Sequence, residues 1–347
     1  DAMLHLSIPN SVVSKTILPP ILLDGFLTSN ELHFKLTARD TNRIVKGVNF
    51  DGVLSTVDSL WQIKFNASEI ALFNDNWAMN EENYIRFAKN YLVTKDFELF
   101  NGDQRILLDS FNLGKGLSLS LTNFDLNFLN RFVNPKKINY RGKIYDFDVK
   151  ISDVFNMRGI NTYLTTDTVF INNVPYGDVT GNFEMAHLSA PLWYKAFLNY
   201  DDRQLRVAGA WIPPKGSPEL VEEAEMTIHP GEFAAQVNAR NFPLAVLETF
   251  VPGISGTNGQ FNVDAKVFGP FNKIGMSGKA KIVTGQFQLD YLKAKYNIVN
   301  QNILLTSTKI WADKDTIWDN STPRNMAVIK GGLTHKYFKE WRLDTCE

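Results

Sequence analysis

Residues 260–267 read Gln260-Phe-Asn-Val-Asp-Ala-Lys-Val267, an unbroken alternation of polar and apolar side chains. Successive side chains of a β-strand point to opposite faces, so the four apolar residues lie on one face and the four polar residues on the other. Strands with one apolar and one polar face are typical of antiparallel sheets, because parallel sheets are covered on both faces. This stretch therefore predicts an antiparallel strand with one face in water.

The same alternation recurs along most of the chain. It is seen in Met3–Ile8, Glu31–Leu36, Trp61–Phe65 and Leu117–Leu121. Helical periodicity is scarce: Pro243–Phe250 has a proline at its start and Pro252-Gly253 after its end, whereas Leu188–Phe197 is ambiguous between helix and loop. The sequence predicts an all-β protein, an open antiparallel sheet with one or two short helices.

The apolar set changes phase at two places in the chain. After Leu121 it moves to Phe124, Leu126 and Phe128, and after Ile282 it moves to Phe287, Leu289 and Tyr291. A slip of one residue sends every later side chain to the opposite face of a strand. Both places are therefore predicted to be tight turns or β-bulges.

Composition limits the functional classes. The 347 residues are 44% apolar, which is too apolar for a disordered chain and enough for a packed core. The 36 basic and 37 acidic residues nearly cancel, which argues against nucleic-acid binding by phosphate neutralisation. No run approaches the ~18 uncharged apolar residues that would span a bilayer. The single cysteine, Cys346, excludes a disulfide framework and a cysteine-based zinc site.

Catalytic and metal-binding motifs are not found in the sequence. The five histidines are scattered, and there is no nucleophile elbow, phosphate-binding loop or zinc-protease motif. Asp313 and Asp315, between Trp311 and Trp318, would suit a calcium loop or a sugar-cleaving carboxylate pair. A solvated loop is the preferred interpretation, because Trp318 stands where a calcium loop needs glycine. We therefore predict a non-enzymatic protein without a metal or cofactor.

One-sided strands in series need something against their apolar face. The choices are a second sheet, lipid around a barrel, or apolar cargo in a groove. Short, uneven strands without an aromatic girdle argue against a membrane barrel. A groove has a specific use, because a sixteen-carbon lipid tail in water costs on the order of 12 kcal/mol, which an apolar trough removes without any chemical step.

The groove hypothesis names nine lining residues, each of which could equally be an ordinary core position. They are Leu117, Leu119, Leu121, Phe261, Val263, Val267, Phe287, Leu289 and Tyr291. A second hypothesis is a closed β-sandwich that binds polysaccharide or protein through Trp77, Trp193, Trp211 or Trp318. A third is a scaffold for outer-membrane protein assembly that works through its strand edges.

The segment from Phe242 to Asp344 resembles the C-terminal half of the TamB family, which belongs to the AsmA-like bridge-like lipid transfer proteins. The stretches that carry the likeness are Pro243–Phe250, Ile254–Gly269, Pro270–Leu289, Tyr296–Ile298, Ile303–Leu305, Ile310–Asp313 and Ala327–Phe338. The earlier part is similar to the preceding region of Bacteroidota-type members, through Ile70–Trp77, Asn83–Phe87 and Phe97–Ile106. The resemblance implies two segments, 1–241 and 242–347, the second beginning with the short helix.

The resemblance implies an elongated open antiparallel sheet curled into a taco-like groove with an apolar interior. Family members span the periplasm of diderm bacteria and are anchored in the inner membrane by an N-terminal helix, which we expect to lie outside this sequence. They work with an outer-membrane barrel of the TamA/TamL type and are implicated in moving phospholipid to the outer membrane. We therefore expect an internal piece of a periplasmic lipid-transfer conduit, with phospholipid as cargo and a role in outer-membrane biogenesis.

Overall fold

The computed structural model describes residues 2–9, 11–13, 16–18, 20–38, 48–66, 70–72, 75–131, 139–172, 174–249, 253–291, 293–319, 326–337 and 339–344. Within these residues the chain forms thirty β-strands and four short 3-10 helices. It divides into two compact units, Asp1–Asn173 and Val174–Glu347. The division after residue 241 that the resemblance implies falls inside a strand, Glu232–Pro243.

The first unit contains strands β1 to β18. They are β1 (Ala2–Ile8), β2 (Ser11–Val13), β3 (Thr16–Leu18), β4 (Ile21–Thr28), β5 (Glu31–Ala38), β6 (Val48–Val57), β7 (Leu60–Phe65), β8 (Ile70–Leu72), β9 (Asp75–Met79), β10 (Tyr84–Ala88), β11 (Tyr91–Lys95), β12 (Phe97–Asn101), β13 (Gln104–Phe111), β14 (Gly116–Asp125), β15 (Tyr140–Arg141), β16 (Lys143–Asp153), β17 (Arg158–Thr166) and β18 (Val169–Ile171). Its 3-10 helices are Asn112–Gly114 and Leu126–Arg131.

Two antiparallel ladders run through the first unit. In one, β1, β4, β5, β6, β7, β10 and β11 pair in that order. In the other, the order is β9, β12, β13, β14, β16 and β17. Strand β8 pairs with both β6 and β9 and so joins the two ladders.

The core of the first unit lies where side chains of the two ladders meet. The Phe65 ring of β7 lies 5.5 Å from the Phe97 ring of β12, measured between centroids, and Trp77 stacks on Phe124 at 5.8 Å. The buried members of this cluster are Ile70, Trp77, Met79, Leu99 and Phe124. Here the apolar faces are filled by protein side chains, as in an ordinary core.

The second unit contains strands β19 to β30. They are β19 (Val174–His187), β20 (Leu192–Tyr200), β21 (Arg203–Trp211), β22 (Glu219–Val221), β23 (Met226–Ile228), β24 (Glu232–Pro243), β25 (Ile254–Pro270), β26 (Gly275–Leu289), β27 (Ala294–Leu305), β28 (Lys309–Asp319), β29 (Met326–Lys336) and β30 (Lys339–Leu343). Its 3-10 helices are Glu222–Ala224 and Leu244–Thr249.

The second unit is an antiparallel meander. Strands β19, β20, β21 and β24 to β30 pair in chain order, and the hairpin of β22 and β23 is inserted between β21 and β24. The sheets are open and uncurled. The open all-β architecture is thus confirmed, whereas the lengthwise curl implied by the resemblance is not part of it.

The helical expectations are met in one segment and not in the other. The predicted helix at 243–250 corresponds to the 3-10 helix Leu244–Thr249. The segment Leu188–Phe197 instead forms a turn and the first part of β20, so the helix-or-loop expectation is wrong there. The reason is the alternation of half-buried Ala196 and Leu198 with exposed Lys195 and Phe197, which suits a strand paired on both sides.

Both changes of phase fall within strands. In β14 the change falls at Asn123, which has a left-handed φ of 56°, and β14 pairs with β16 on both sides of it without a shift of register. In β26 the register with β25 shifts so that Gln260 faces Thr284 and Phe261 faces Ile282, which leaves Val283 between them. The predicted bulge is confirmed in β26, and in β14 the predicted position coincides with a left-handed residue inside the strand and not with a tight turn.

A buried amide ties two strands of the first unit together. The Asn83 side chain is fully buried; its Oδ1 accepts the Phe65 backbone N–H at 2.9 Å. Its Nδ2 donates to the carbonyl oxygens of Phe65 at 2.9 Å and Asn80 at 2.6 Å. The side chain thus pairs with the end of β7 as a neighbouring strand would.

Replacing Asn83→Ala should destabilise the first unit by about 3 kcal/mol, because the Phe65 N–H and C=O lose their partner where water reaches them poorly. Hydrogen–deuterium exchange of β7 and β10 should accelerate roughly 100-fold where it proceeds by opening of these strands. The control is Asn161→Ala, at an exposed position of β17, which should leave exchange unchanged. Equal exchange in the two variants would contradict the structural role of Asn83.

Candidate functional site

The register of the second unit aligns apolar side chains into rows that cross the strands. The first row is Val179, Leu198, Leu205, Ala239, Val263, Ala280, Ile303, Ala312 and Gly331; the second is Gly181, Ala196, Val207, Val237, Ala265, Gly278, Leu305, Ile310 and Leu333; the third is Phe183, Tyr194, Gly209, Ala235, Val267 and Met276. None of these residues is charged. We call these three rows the apolar face.

The large side chains at the centre of the apolar face are not fully buried. Leu205, Val207, Val237, Val263 and Val267, on β21, β24 and β25, are all half-buried. Within the three rows, the buried positions on these strands are small residues, Gly209, Ala235, Ala239 and Ala265, whereas the buried Phe233 and Phe242 of β24 lie outside the rows. A second protein layer would cover the large aliphatic groups first, so the centre of this face retains exposed hydrocarbon.

The opposite face of the same strands is mostly polar. One row across it is Thr180, Phe197, Arg206, Asn238, Asp264 and Lys279; the next is Asn182, Lys195, Ala208, Gln236, Lys266 and Ser277. We call this side the polar face. Its charged and amide groups can remain hydrated while the apolar face contacts another hydrophobic material.

The inserted hairpin covers one end of the polar face with a core of its own. Ile212, Val221, Ala224 and Ile228 are almost completely buried there, and Trp193 and Phe268 pack against them. The best-buried hydrophobic cluster of this unit therefore does not lie on the apolar face.

The apolar face is filled at one end by the 3-10 helix. Leu244 is buried with Ile282, Ile298 and Ile317, on β26, β27 and β28. Gly285 provides the space, because a Cβ at this position would lie 2.7 Å from Ile298 Cγ2 and 2.9 Å from Leu244 Cδ1. At this end, protein side chains occupy the surface that cargo would otherwise contact.

The predicted lining residues of the second unit have different surroundings. Val263 and Val267 are half-buried on the central part of the apolar face. Phe261 and Phe287 pack against the cluster under the 3-10 helix. Leu289 is the half-buried last residue of β26. Tyr291 lies in the turn beyond β26 with 96% of its surface exposed, so the structure does not place it on the face.

The three predicted leucines of the first unit share one face of β14. Leu117, Leu119 and Leu121 are half-buried, and all three pair with apolar residues of β16. Leu121 also packs against the core cluster around Trp77. The structure thus groups these leucines on one face but places them in a different unit from the other six candidates.

Sequence analysis missed three residues at the centre of the apolar face. Leu205 and Val207 lie on β21, and Val237 lies on β24. The sequence could have indicated Leu205 and Val207, because they alternate with the polar residues Gln204 and Arg206. Their place beside Val263 depends on strand pairing, which alternation alone does not specify.

The structure changes the interpretation of the tryptophans and carboxylates that were predicted as alternative sites. Trp77 is 5% exposed and cannot serve as a stacking platform, and Trp193 packs under the hairpin. Asp313 is an exposed residue within β28, beside a bulge at Lys314 with φ of 61°, so the segment is a bulged strand and not the expected loop.

No cluster of three or more potential metal-ligating His, Cys, Asp or Glu residues occurs within the described ranges. None of the helical segments described is long enough to cross a membrane.

Tyr194, in the third row of the apolar face, lies in an environment of low polarity. It pairs with Gly209, and its hydroxyl donates to the Ala234 carbonyl at 3.2 Å, so its side chain reaches across β21. Burial raises the pKa of the Tyr194 phenol to about 12. The charged phenolate is disfavoured because it would lose hydration against this hydrocarbon surface.

The stability of the second unit should fall as pH rises from 10 to about 12, because the folded unit keeps the Tyr194 proton that the unfolded chain loses. Tyr194→Phe should remove this part of the pH dependence. The measurement is the urea unfolding midpoint of the unmodified chain and of Tyr194→Phe across this pH range. The difference between the two midpoints should become smaller as pH rises. Tyr291→Phe, at an exposed phenol, is the matched control, and a pH profile identical for all three proteins would count against a buried Tyr194.

No protein-family model, curated protein or solved structure gives a significant match to the chain. The resemblance to the TamB family remains a prediction from the residues quoted for it. The function is therefore inferred from the two faces of the second unit.

Proposed function

We propose that the chain is a non-enzymatic, lipid-binding part of a lipid-transfer conduit, in which acyl chains lie on the apolar face of the second unit. The observation that carries the proposal is the continuity of the rows. Two of them cross nine strands without a charged or polar side chain. An acyl chain needs such continuity, because an isolated charge in its path would have to lose its hydration.

The dimensions of the apolar face suit a lipid tail. Neighbouring strands lie about 4.8 Å apart, so nine strands span roughly 40 Å across the sheet. One leaflet of a bilayer has a hydrocarbon thickness of roughly 15 Å. A tail can therefore lie along a row and still have apolar surface ahead of it, which is what movement along a conduit requires.

The energetic role of the face is to replace water on one side of the tail. Transfer of a sixteen-carbon chain into water costs on the order of 12 kcal/mol, and an open face removes part of that cost. The polar face and the lipid headgroup can both stay hydrated. No catalytic group is needed, because lipid transfer neither forms nor breaks a covalent bond.

The occupied end of the face limits where tails would lie. The packing of Leu244 against Ile282 assigns Phe261 and Phe287 to a structural role. Val263 and Val267, with Val207 and Val237 beside them, are the best candidates for contact with lipid. The periplasmic location, the inner-membrane anchor, the phospholipid cargo and the TamA/TamL-type barrel partner are proposals that rest on the family resemblance alone.

The direct test is Val263→Arg, which places a charge at the centre of the apolar face. It should weaken binding of a fluorescent palmitate by about tenfold or more, because the guanidinium must keep its water. The matched control is Gln236→Arg, on the polar face of the neighbouring strand, where an arginine can still donate to Asp264 as the glutamine does at 2.6 Å. The control should bind palmitate as the unmodified chain does.

Circular dichroism should show that both variants keep their sheet content. If Val263→Arg and Gln236→Arg bind palmitate equally well, tails do not use this face and the proposal fails. Full binding by Val263→Arg would favour the scaffold alternative, which depends on strand edges. Loss of binding in both variants would point to general disruption, and photo-crosslinking of a diazirine-labelled phosphatidylethanolamine to β24 and β25 of the unmodified chain would then decide the matter.

A further inference from the structure

The polar face of the second unit contains an open cavity of about 610 Å³. Its polar lining consists of Asn199, Gln204, Arg206, Asn238, Arg240 and Asn262. This volume is within the range of small-molecule binding sites. The charged and amide side chains of this lining belong to the polar face; the lining also includes Leu205, Ala239 and Val263, which belong to the first row of the apolar face.

Two arginines face the cavity from neighbouring strands. Arg206 of β21 pairs with Asn238 of β24, and Arg240 pairs with Gln204. Diagonal neighbours of this kind have Cβ atoms ~7–8 Å apart, a separation at which two guanidinium groups can contact one anion. The Arg206 guanidinium carbon lies 5.7 Å from the centroid of the Phe197 ring, which supports it over the cavity.

The carboxylates nearby are already engaged by amides. Asp264 accepts hydrogen bonds from Gln236 at 2.6 Å and Asn238 at 3.0 Å, and Asp202 accepts one from Asn241 at 2.8 Å. Within the described residues, neither Arg206 nor Arg240 has an ion-pair partner within 4 Å. Both guanidinium groups are exposed and able to bind an external anion.

Positive charge also extends beyond the two arginines. Lys279 and Lys281 of β26 stand opposite Asp264 and Asn262 of β25. Arg206 also acts on the hairpin, where its charge helps to lower the pKa of Glu223 after the larger effects of hydrogen bonds to that carboxylate. Four basic side chains, those of Arg206, Arg240, Lys279 and Lys281, thus lie in or beside the cavity, with Asp264 among them.

The amides of the cavity indicate a ligand with hydroxyl groups. The Oδ1 of Asn262 accepts the Asn241 backbone N–H at 2.7 Å, which leaves its amide N–H groups available. The Nδ2 of Asn238 is used by Asp264, which leaves its carbonyl oxygen available. Asn199 and Gln204 are exposed and offer both donors and acceptors. A sugar hydroxyl, which donates and accepts, matches such a mixed lining.

We propose that this cavity binds an acidic saccharide. Its carboxylate or phosphate group would lie between Arg206 and Arg240, and its hydroxyl groups would contact Asn199, Gln204 and Asn262. A simple inorganic anion would use the arginines but leave the amides without a role. The saccharide therefore accounts for more of the lining than a free anion does.

Isothermal titration of the full chain with tri-galacturonic acid, maltotriose and inorganic phosphate tests the ligand class. The acidic trisaccharide should bind about tenfold more tightly than either of the others, because only it uses both the arginines and the amides. Equal binding of phosphate and tri-galacturonic acid would reduce the cavity to a simple anion site and overturn the saccharide assignment. Equal binding of maltotriose would overturn the role of the arginines.

Substitutions then test the residues. Arg206→Gln and Arg240→Gln should each weaken tri-galacturonic acid binding by about tenfold, whereas Asn199→Ala should weaken it without changing the response to phosphate. Arg342→Gln, at an exposed arginine of β30, is the matched control and should have no effect. Unchanged binding by a folded Arg206→Gln/Arg240→Gln double variant would overturn the proposal, and its palmitate binding should stay normal whatever the fate of the lipid hypothesis.

Discussion

Backbone pairing in the second unit keeps the apolar side chains of each strand in register with those of both neighbours, and its two faces depend on this. Val207, Val237 and Ala265 occupy one row because β21, β24 and β25 pair in a single register at these positions. A slip of one residue in any of these strands would bring a polar residue such as Arg206 or Asp264 onto the apolar face. The register is therefore strongly selected by the separation of polar and apolar groups.

The bulges preserve that separation where the strands grow long. Left-handed residues recur on neighbouring strands, at Asn241 of β24, Asn300 of β27 and Lys314 of β28, near the shift at Val283 of β26. A bulge in one strand alone would set its later side chains out of phase with the next strand. Because adjacent strands bulge together, Ile282, Ile298 and Ile317 still meet on one face, where Leu244 can cover them.

The two faces of the sheet differ in how far protein covers their hydrophobic side chains. On the polar face, the hairpin buries hydrophobic side chains at one end, and Gln236 and Asn238 donate hydrogen bonds to Asp264. On the apolar face, the centre keeps half-buried aliphatic groups that remain in contact with water. Exposed hydrocarbon of this extent marks an interaction surface in soluble proteins, because covering it is favourable. In the two proposals, lipid tails contact one face of the sheet and the acidic groups of a saccharide contact the other.

Local features follow from the sequence alone: one-sided strands, the change of phase at Asn123, the bulge near Thr284 and the short helix at Leu244. Each follows from side-chain periodicity or from a proline, which act over a few residues. Three further features appear only in the folded chain: Val237 pairs with Ala265, Leu244 covers the sheet near Phe261, and Tyr291 falls outside the apolar face. Those outcomes depend on which strands pair and in which register, and pairing joins residues that are distant in the chain.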